Sequence, residues 1–391
     1  MHSLYMAWRY LWFHKVRTVV LIAAITLITY LPFAVHILVR SSEAQMLARS
    51  QLTPLIMGQK GSALDLVLNT LYFTSKPPER IAMSEADRVD ASGLAYAIPV
   101  YNRFVARGFP IVGTTLDYFS FRQLDVAAGR MLAVLGECVL GATVAAALGL
   151  EPGDTLMSAP ENPFDLAGVY PLKMHVVGVL NSSHTPDDRA VFVDIKTAWV
   201  IEGLGHGHTD LATTTDQQNI LEQRDDTIVA SAKVVQYTEI TPDNIDSFHF
   251  HGDTSTFPLT AILAVPYDDK SATLLRGRYL AETIPSQIVK PTEVIAALLQ
   301  NIFKIKQVLD IIFTVVSVAM VLAIVLIMTL SLRLRQPEIE TMYKLGCSRL
   351  KMVELVAAEL GAIVLLSLIL TAGLTAATLH WQLTIMHRFL A

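Results

Sequence analysis

Three long apolar stretches limit what this chain can fold into more than any other feature. They are Thr18–Val39, Ile311–Leu332 and Leu360–Leu379, each at least 20 residues long and free of Asp, Glu, Lys and Arg. An α-helix rises about 1.5 Å per residue, so 20 residues span about 30 Å, the thickness of a bilayer's hydrocarbon core. The sequence therefore predicts three transmembrane helices. It disfavours the alternative, three buried helices of a large soluble enzyme.

The residues between the first two stretches are numerous enough to form a folded domain. The chain has 391 residues, of which 52% are hydrophobic and 17% are charged. Residues 41–304 are patterned with polar groups and are long enough for one or two domains with their own core. The formal net charge of -5, with no dense Lys/Arg tract away from the membrane flanks, argues against a nucleic-acid partner.

Basic residues beside the apolar stretches predict the orientation of the chain. The first stretch is preceded by Arg9, Lys15 and Arg17, without any acidic residue. The basic residues between the second and third stretches are Arg333, Arg335, Lys344, Arg349 and Lys351. Basic flanks stay in the cytoplasm, and the acidic residues nearby weigh little in this rule. Residues 41–304 are therefore expected outside the cytoplasm. Cys138 and Cys347 then lie on opposite sides of the membrane and cannot form a disulfide.

The first 40 residues are predicted to hold an interfacial helix and the first transmembrane helix. Residues 2–14 combine Arg9 with Trp8, Tyr10 and Trp12, a composition typical of a helix in the headgroup layer. The alternative is a simple extension of the first span. No small-residue cleavage site follows the apolar stretch, so we interpret it as an uncleaved anchor and not as a signal peptide.

The segment 41–304 mixes strand and helix signals. Short runs rich in β-branched and aromatic residues, bounded by turn residues, predict strands at 95–101, 109–115, 137–141, 174–180, 190–193, 228–238 and 259–265. Helical patterns occupy 40–71, with an interruption at Gly58–Gly61, and 268–304, which leads into the second span. The predicted fold class is membrane α-helical with a large α+β extracytoplasmic domain, entered and left by stalk helices.

The segment 334–350, between the second and third spans, predicts a short amphipathic helix. Pro337 suits the first turn of a helix, because its missing N–H is not needed there. Gly346 can end that helix with a positive φ, and Ser348 can cap the next one. Such a helix is well placed to contact a cytoplasmic partner. The alternative is an inert loop that only obeys the positive-inside rule.

This cytoplasmic segment carries a family resemblance. Arg335-Gln-Pro-Glu-Ile-Glu340 and Lys344-Leu-Gly-Cys-Ser-Arg349 resemble the Arg-x-x-Glu-Ile…Gly-Ala-Ser-Arg coupling segment of MacB/FtsX-like ABC-transporter permeases. Further matches occur in the family's order at Gly113, Ala128-Gly-Arg130, Leu140-Gly-Ala-Thr-Val-Ala145, Gly153-Asp154 and Val176-Val-Gly-Val179. Residues 305–391 would then hold the second and third spans, joined by a coupling helix.

The resemblance implies a function in which this chain is a permease and not an enzyme. It implies a dimer, with a second copy or a paralogue, bound to cytoplasmic ABC ATPases that carry the ATP. A periplasmic binding or adaptor protein is a further implied partner, and the location is the bacterial inner membrane, with a periplasmic domain. The residues implied in ATPase coupling are Arg335, Glu338, Ile339, Lys344, Gly346, Ser348 and Arg349.

One feature departs from the family pattern. Family members normally have a fourth span, whereas the residues after the third stretch are too few to cross a membrane. Either the sequence ends before a fourth span or this is a three-span variant. A phosphate-binding loop is also missing, because Gly58-Gln-Lys-Gly-Ser62 lacks the Walker A spacing. We therefore expect ATP to bind to a separate subunit.

Two histidine pairs in the extracytoplasmic segment suggest a metal site. Both windows, Gly205-His206-Gly-His208-Thr-Asp210 and Phe248-His249-Phe-His251-Gly-Asp253, read His-x-His-x-Asp. In an extended chain, alternate residues point to one side. Each window could thus offer two imidazoles and a carboxylate to Zn²⁺ or another metal. His184, near Asp187 and Asp188, is an additional candidate. The alternative is that these histidines cap turns or face solvent.

Together these features predict a permease that couples cytoplasmic ATP hydrolysis to movement of its periplasmic domain. The histidine windows would link it to a zinc- or metal-dependent export or envelope process. The competing hypothesis is a membrane-anchored periplasmic receptor or scaffold without an ATPase partner. A hydrolase is less favoured, because the sequence has neither His-Glu-x-x-His nor a nucleophile elbow.

Overall fold

A computed structural model describes residues 2–74, 76–159, 171–207, 220–224, 227–230, 238–334, 336–344, 346 and 348–389. The chain forms two compact units. The membrane unit comprises Met1–Met46 and Ala297–Ala391, and the globular unit comprises Leu47–Ala296.

The helices and strands follow one another in an α+β pattern. The helices are α1 (His2–Phe13), α2 (Lys15–Gln51), α3 (Ala63–Tyr72), α4 (Ser84–Ala91), α5 (Leu116–Arg122), α6 (Ala142–Leu148), α7 (Ile195–Glu202), α8 (Asp269–Arg278), α9 (Pro291–Leu334), α10 (Gln336–Lys344) and α11 (Arg349–Phe389). The strands are β1 (Leu55–Gln59), β2 (Ile81–Ala82), β3 (Ala95–Ala106), β4 (Phe109–Thr114), β5 (Val126–Gly129), β6 (Glu137–Leu140), β7 (Thr155–Met157), β8 (Lys173–Leu180), β9 (Val191–Asp194), β10 (Gly205–Gly207), β11 (Ile220–Arg224), β12 (Thr227–Ala230), β13 (Phe248–Phe250), β14 (Pro258–Leu259), β15 (Ala261–Pro266) and β16 (Ser286–Val289).

Within the residues that the structure describes, three helices are long and apolar enough to cross a membrane. They are α2 with 37 residues, α9 with 44 and α11 with 41. Each contains one of the three apolar stretches found in the sequence. Together with the mixed α+β globular unit, they confirm the predicted fold class.

A line of polar contacts, called here the α2–α11 seam, joins α2 to α11. Its members are Arg17 with Glu359 (3.2 Å), Thr26 Oγ1 with the Ser367 carbonyl (3.4 Å), Thr29 Oγ1 with Thr371 Oγ1 (2.8 Å) and Tyr30 Oη with Thr378 Oγ1 (2.7 Å). Beside it, Leu11 of α1 and Leu21 are buried against Ile363. By contrast, α9 buries none of its residues from 300 to 327, all of which the structure describes.

The globular unit is built on one mixed sheet of ten strands. Its order is β16-β1-β15-β3-β4-β9-β6-β8-β5, with β7 also paired to β8. The pairs β4–β9 and β6–β8 are parallel, and the other pairs of this sheet are antiparallel. Helix α7 packs against β3, β4 and β9. The central strands β3, β6 and β9 are rich in buried apolar residues, as expected for strands that are covered by other elements.

Some local predictions were wrong. Residues 55–57, predicted as helix, belong to β1, which continues into the predicted interruption at Gly58, and residues 286–289, also within a predicted helix, form β16. Both are short strands that extend the sheet from β15 to its edge. Pairing with neighbouring strands supplies hydrogen bonds that a local pattern does not reveal, so tertiary context overrode the helical signal.

Candidate functional site

The predicted coupling segment forms a separate helix, α10, between the two long helices α9 and α11. Gly346 has φ +92°, and its N–H donates to the Tyr343 carbonyl (3.0 Å), so it ends α10 as predicted. Ser348 then accepts a hydrogen bond from the Lys351 N–H (3.4 Å) in the first turn of α11. Glycine is needed at this turn because other residues rarely adopt a positive φ.

The side chains of α10 that the structure describes are exposed. Among the predicted coupling residues, Lys344, Gly346 and Ser348 are exposed, as are the neighbours Glu340 and Tyr343. Arg335 lies outside the described residues, as do the side chains of Glu338, Ile339 and Arg349. A short exposed helix with both charge signs is a surface on which a partner protein can dock.

The described parts of the two histidine windows come together in a small antiparallel ribbon of the globular unit. Strand β10 pairs with β13, and His206 lies directly opposite His249. Directly opposite residues of an antiparallel pair project to the same face, and His251 follows His249 by two residues. Three imidazoles therefore lie on one face of the ribbon.

The ligand atoms of these three histidines are close to one another. The ring nitrogens of His206, His249 and His251 that could bind a metal lie within 4.8 Å of each other. The Nε2 atoms of His206 and His251 are 3.4 Å apart. The ring of His206 is half-buried, whereas His249 and His251 are exposed. We call this group the three-histidine cluster.

The opposite face of the ribbon is apolar and attaches it to the core. The rings of Phe250 and Phe248 lie over Gly205 and Gly207, where an added Cβ would come within 2.6 Å of a ring carbon. The ring of Phe250 also lies 6.5 Å from Trp199 of α7, whose indole N–H donates to the Pro258 carbonyl (2.9 Å). Glycine alternates with histidine in β10, and phenylalanine alternates with histidine in residues 248–251. The ribbon therefore has one face packed on the core and one face that carries the imidazoles.

Among the other predicted metal ligands, Asp253 is described by the structure and is not part of the three-histidine cluster. His208 and Asp210 lie outside the described residues. Asp253 is separated from β13 by Gly252, whose φ of +98° ends the extended run. The carboxylate of Asp253 instead accepts a hydrogen bond from the Ser255 N–H (2.9 Å), which lowers its pKa.

The two aspartates beside His184 have other partners. Asp188 accepts hydrogen bonds from the backbone N–H groups of Ser183 (2.8 Å) and His184 (2.9 Å) and from the Ser182 hydroxyl (2.9 Å). Asp187 belongs to a buried ion pair. The two carboxylates are therefore engaged in holding the turn before β9, and the exposed ring of His184 is not part of the three-histidine cluster.

The buried ion pair is a feature that sequence reasoning missed. Arg49, in the last turn of α2, donates to both carboxylate oxygens of Asp187 at 2.6 and 2.8 Å. Its Nε donates to the Leu71 carbonyl (2.5 Å), and Tyr118 Oη donates to Asp187 (2.8 Å). The side chains of Arg49 and Asp187 are only 6% and 1% exposed, so neither charge is hydrated.

Electrostatics in this pair follow from burial and charge. Burial alone would raise the pKa of Asp187, but the charge and hydrogen bonds of Arg49 outweigh it and hold that pKa below its ordinary value. Burial raises the pKa of Tyr118 to about 12, with the Asp187 charge adding to the shift. At neutral pH the network is therefore a guanidinium, a carboxylate and a neutral phenol. No local signal in the sequence pointed to this pairing, because Arg49 and Asp187 are 138 residues apart.

Comparison with known proteins gives one family and several distant structural similarities. A model of the MacB-like periplasmic core domain matches residues 18–248. The periplasmic region of MacB from Actinobacillus actinomycetemcomitans is 12% identical with a TM-score of 0.35, and the match covers 65% of this chain and 97% of that one. The extracellular domain of the noncanonic ABC-type transporter YknZ from Gram-positive bacteria is 10% identical with a TM-score of 0.33, covering 60% and 98%. A search of curated proteins found no match.

Proposed function

The chain belongs to the family of proteins with a MacB-like periplasmic core domain, and on this premise we propose that it passes motion between an ATPase and its globular unit. It has an ABC-transporter permease-like role and is a transporter component. In the proposal, a separate cytoplasmic ATPase binds and hydrolyses ATP. A second permease copy or paralogue completes the membrane part, and a periplasmic adaptor is a further partner.

The proposal places the chain in a bacterial inner membrane. Its N-terminus and α10 lie in the cytoplasm, and the globular unit lies in the periplasm. The distribution of basic residues around the spans supports this orientation. Protease accessibility of α10 in sealed inverted vesicles, with the globular unit protected, is the expected result.

The observation that carries the proposal is helix continuity. Helix α9 runs unbroken from Pro291 to Leu334, and α2 runs from Lys15 to Gln51 with Pro32 inside it. Each helix belongs to the membrane unit along most of its length and to the globular unit at one end. At about 1.5 Å per residue, α9 is roughly 66 Å long. A continuous helix resists compression along its axis, so displacement of one end reaches the other.

Both helix ends are fastened within the globular unit. At the end of α2, Arg49 makes its bidentate pair with Asp187. At the start of α9, Ile295 is fully buried and Glu293 pairs with Arg276 of α8 (2.8 Å). Because these residues are held by packing and charge, movement of either helix would pull on the sheet and not only on a loop.

Helix α10 is the proposed receiving surface for the ATPase. A single residue, 335, separates it from the end of α9, so a force on α10 acts almost directly on that helix. Glu340, Tyr343 and Lys344 are exposed there. An arrangement of this kind needs no wide solute pore through the membrane unit.

Charge reversal on α10 tests the proposal. The tagged full-length chain is purified in mild detergent, and co-purifying ABC ATPase is measured by mass spectrometry and by ATP hydrolysis. We expect Glu340→Lys and Lys344→Glu to remove the ATPase. The exposed Glu151→Lys, in the globular unit, should leave it bound and serves as the control. If ATPase recovery were the same in all variants, or if the native chain had no ATPase, the receptor or scaffold hypothesis would replace this one.

A further inference from the structure

The three-histidine cluster is not used by the permease proposal, and its geometry points to a metal. We propose that His206, His249 and His251 form a binding site for a divalent transition metal such as Zn²⁺. The inference does not rest on the proposed coupling to an ATPase, and failure of either leaves the other intact.

The ribbon brings the imidazoles together by its register. His206 and His249 lie directly opposite each other in the ribbon. His251 lies two residues after His249, on the same face. The centroids of the three rings are 5.0, 4.8 and 4.8 Å apart. The Phe248 and Phe250 side chains hold the other face against glycines and Trp199. The three rings are thus presented by a packed support and not by an isolated loop.

The distances suit tetrahedral coordination. With metal–nitrogen bonds of about 2.0–2.1 Å, two nitrogens of a tetrahedral zinc site are separated by about 3.4 Å. The Nε2 atoms of His206 and His251 are 3.4 Å apart. The ligand atoms of all three residues lie within 4.8 Å, so small rotations of the exposed rings can complete the set.

A backbone carbonyl selects the tautomer of one ligand. The Nδ1 atom of His249 lies 3.0 Å from the Ser247 carbonyl oxygen. A carbonyl can only accept, so Nδ1 carries the proton and Nε2 keeps a lone pair. Histidines that ligate a metal commonly have their other nitrogen held in this way, which fixes the ring and increases its basicity.

The donor set defines the class of metal. Imidazole nitrogen favours Zn²⁺, Cu²⁺ and Ni²⁺, whereas Mg²⁺ and Ca²⁺ prefer oxygen donors. Three protein ligands leave one tetrahedral position for water or for a further ligand. Because His249 and His251 are exposed, an ion can enter directly from solvent.

The position of the cluster gives the ion a structural consequence. Strands β10 and β13 are three residues each, and they stand at the two ends of the segment 208–247. A ladder this short is weak by itself. A metal that bridges His206 to His249 and His251 would therefore add a link between the residues on either side of this segment.

Metal titration of the full-length chain in detergent tests the inference. Zn²⁺ binding is measured by equilibrium dialysis with elemental analysis, and Co²⁺ binding by its visible absorption, which reports tetrahedral geometry. We expect one saturable site per chain. The variants His206→Ala and His251→Ala should weaken binding by at least about 100-fold, the upper end of the loss caused by removing an outer-shell partner alone.

A control variant and a measurement of folding distinguish loss of the metal site from loss of the fold. His184→Asn, at an exposed histidine outside the cluster, should bind Zn²⁺ like the native chain. The variants' melting temperatures without metal show whether they fold. Added Zn²⁺ should raise the melting temperature of the native chain and of His184→Asn, but not that of His206→Ala or His251→Ala. Absence of saturable binding in the native chain, or equal affinity in a folded variant lacking all three histidines, would overturn the inference.

Discussion

The globular unit and the membrane unit distribute their polar groups in opposite ways. In the globular unit, a largely apolar core contains separate buried polar groups, and Arg49 and Asp187 form a buried ion pair at one point. In the membrane unit, the polar contacts are spread along the α2–α11 seam, and large apolar side chains such as Leu326 of α9 are exposed. One unit has an apolar interior, and the other has a polar line between apolar helices.

The difference reflects the two solvents. In water, burial of apolar surface drives folding, and a buried charge is costly unless it is paired. In lipid, apolar side chains gain little by leaving the hydrocarbon, so close packing and interhelical hydrogen bonds decide which helices associate. Polar residues therefore fix the pairing of helices in the membrane unit. In the globular unit, a single polar pair fixes the end of one helix.

Removing one partner of the buried ion pair should have the largest effect on stability. Asp187→Asn leaves the Arg49 charge buried without its partner, and we expect a loss of about 3–5 kcal/mol. Chemical denaturation of the full-length chain in detergent, followed by the near-ultraviolet signal of the globular unit, measures it. Glu293→Gln breaks the exposed pair with Arg276 and should cost at most about 1 kcal/mol. Equal losses in the two variants would contradict the special cost of burial.

Acid should weaken the globular unit through the same carboxylate. Asp187 has a lowered pKa in the folded chain, so its contribution is complete above the unfolded value of about 3.9 and is lost as pH falls through the folded value. Arg49, Arg122 and Tyr118 face it and remain protonated throughout. The difference in stability between the native chain and Asp187→Asn should therefore shrink below about pH 4. A difference independent of pH would show that Asp187 is not ionised.

The same substitution should have opposite signs in the two units. Gly207→Ala places a methyl group 2.6 Å from the Phe248 ring, and this overpacking should cost about 1–3 kcal/mol. Gly373→Ala, in α11, meets no atom within 4 Å and should raise stability by up to about 1 kcal/mol, because glycine disfavours helix. Melting temperatures of both variants measure this. Destabilisation by both would imply that Gly373 is in close contact with another element.

The smallest effect is expected along the α2–α11 seam. Thr29→Val and Thr371→Val remove a hydroxyl pair that is 2.8 Å apart while keeping its shape. Interhelical hydrogen bonds in membranes contribute about 0.6 kcal/mol on average, so a double-mutant cycle should give a coupling of that size. A coupling above about 3 kcal/mol would place this seam in the same energy range as the buried ion pair.

The membrane unit could be predicted from sequence better than the globular unit. The three spans need only length and composition, which are local properties of the chain. Strands such as β3 and β8 were also found, because they combine β-branched residues with turns at their ends. The strands β1 and β16 were missed, since their pairing partners are distant in sequence. The pairing of Arg49 with Asp187, 138 residues apart, has no local signal either.

The histidine windows show what the sequence pattern could predict about the candidate site and what it could not. The repeated His-x-His-x-Asp identified His206, His249 and His251, which the structure brings together. The pattern gave Asp253 equal weight, although the positive φ of Gly252 turns the chain before it. Spacing predicts which side chains share a face only while the backbone stays extended, and that condition is set by single residues.

Because α9 is a continuous helix, the rotation of one end about the helix axis fixes the rotation of the other end. Each residue of an α-helix turns the chain by about 100°, so one residue inserted near position 305 would rotate everything beyond it by that angle. Seven inserted residues would turn it to within about 20° of its starting direction while lengthening the helix by about 10 Å. Insertions of seven residues in this helix should therefore be tolerated better than insertions of one. The rotation of the far end about the helix axis should affect function more than the added length does.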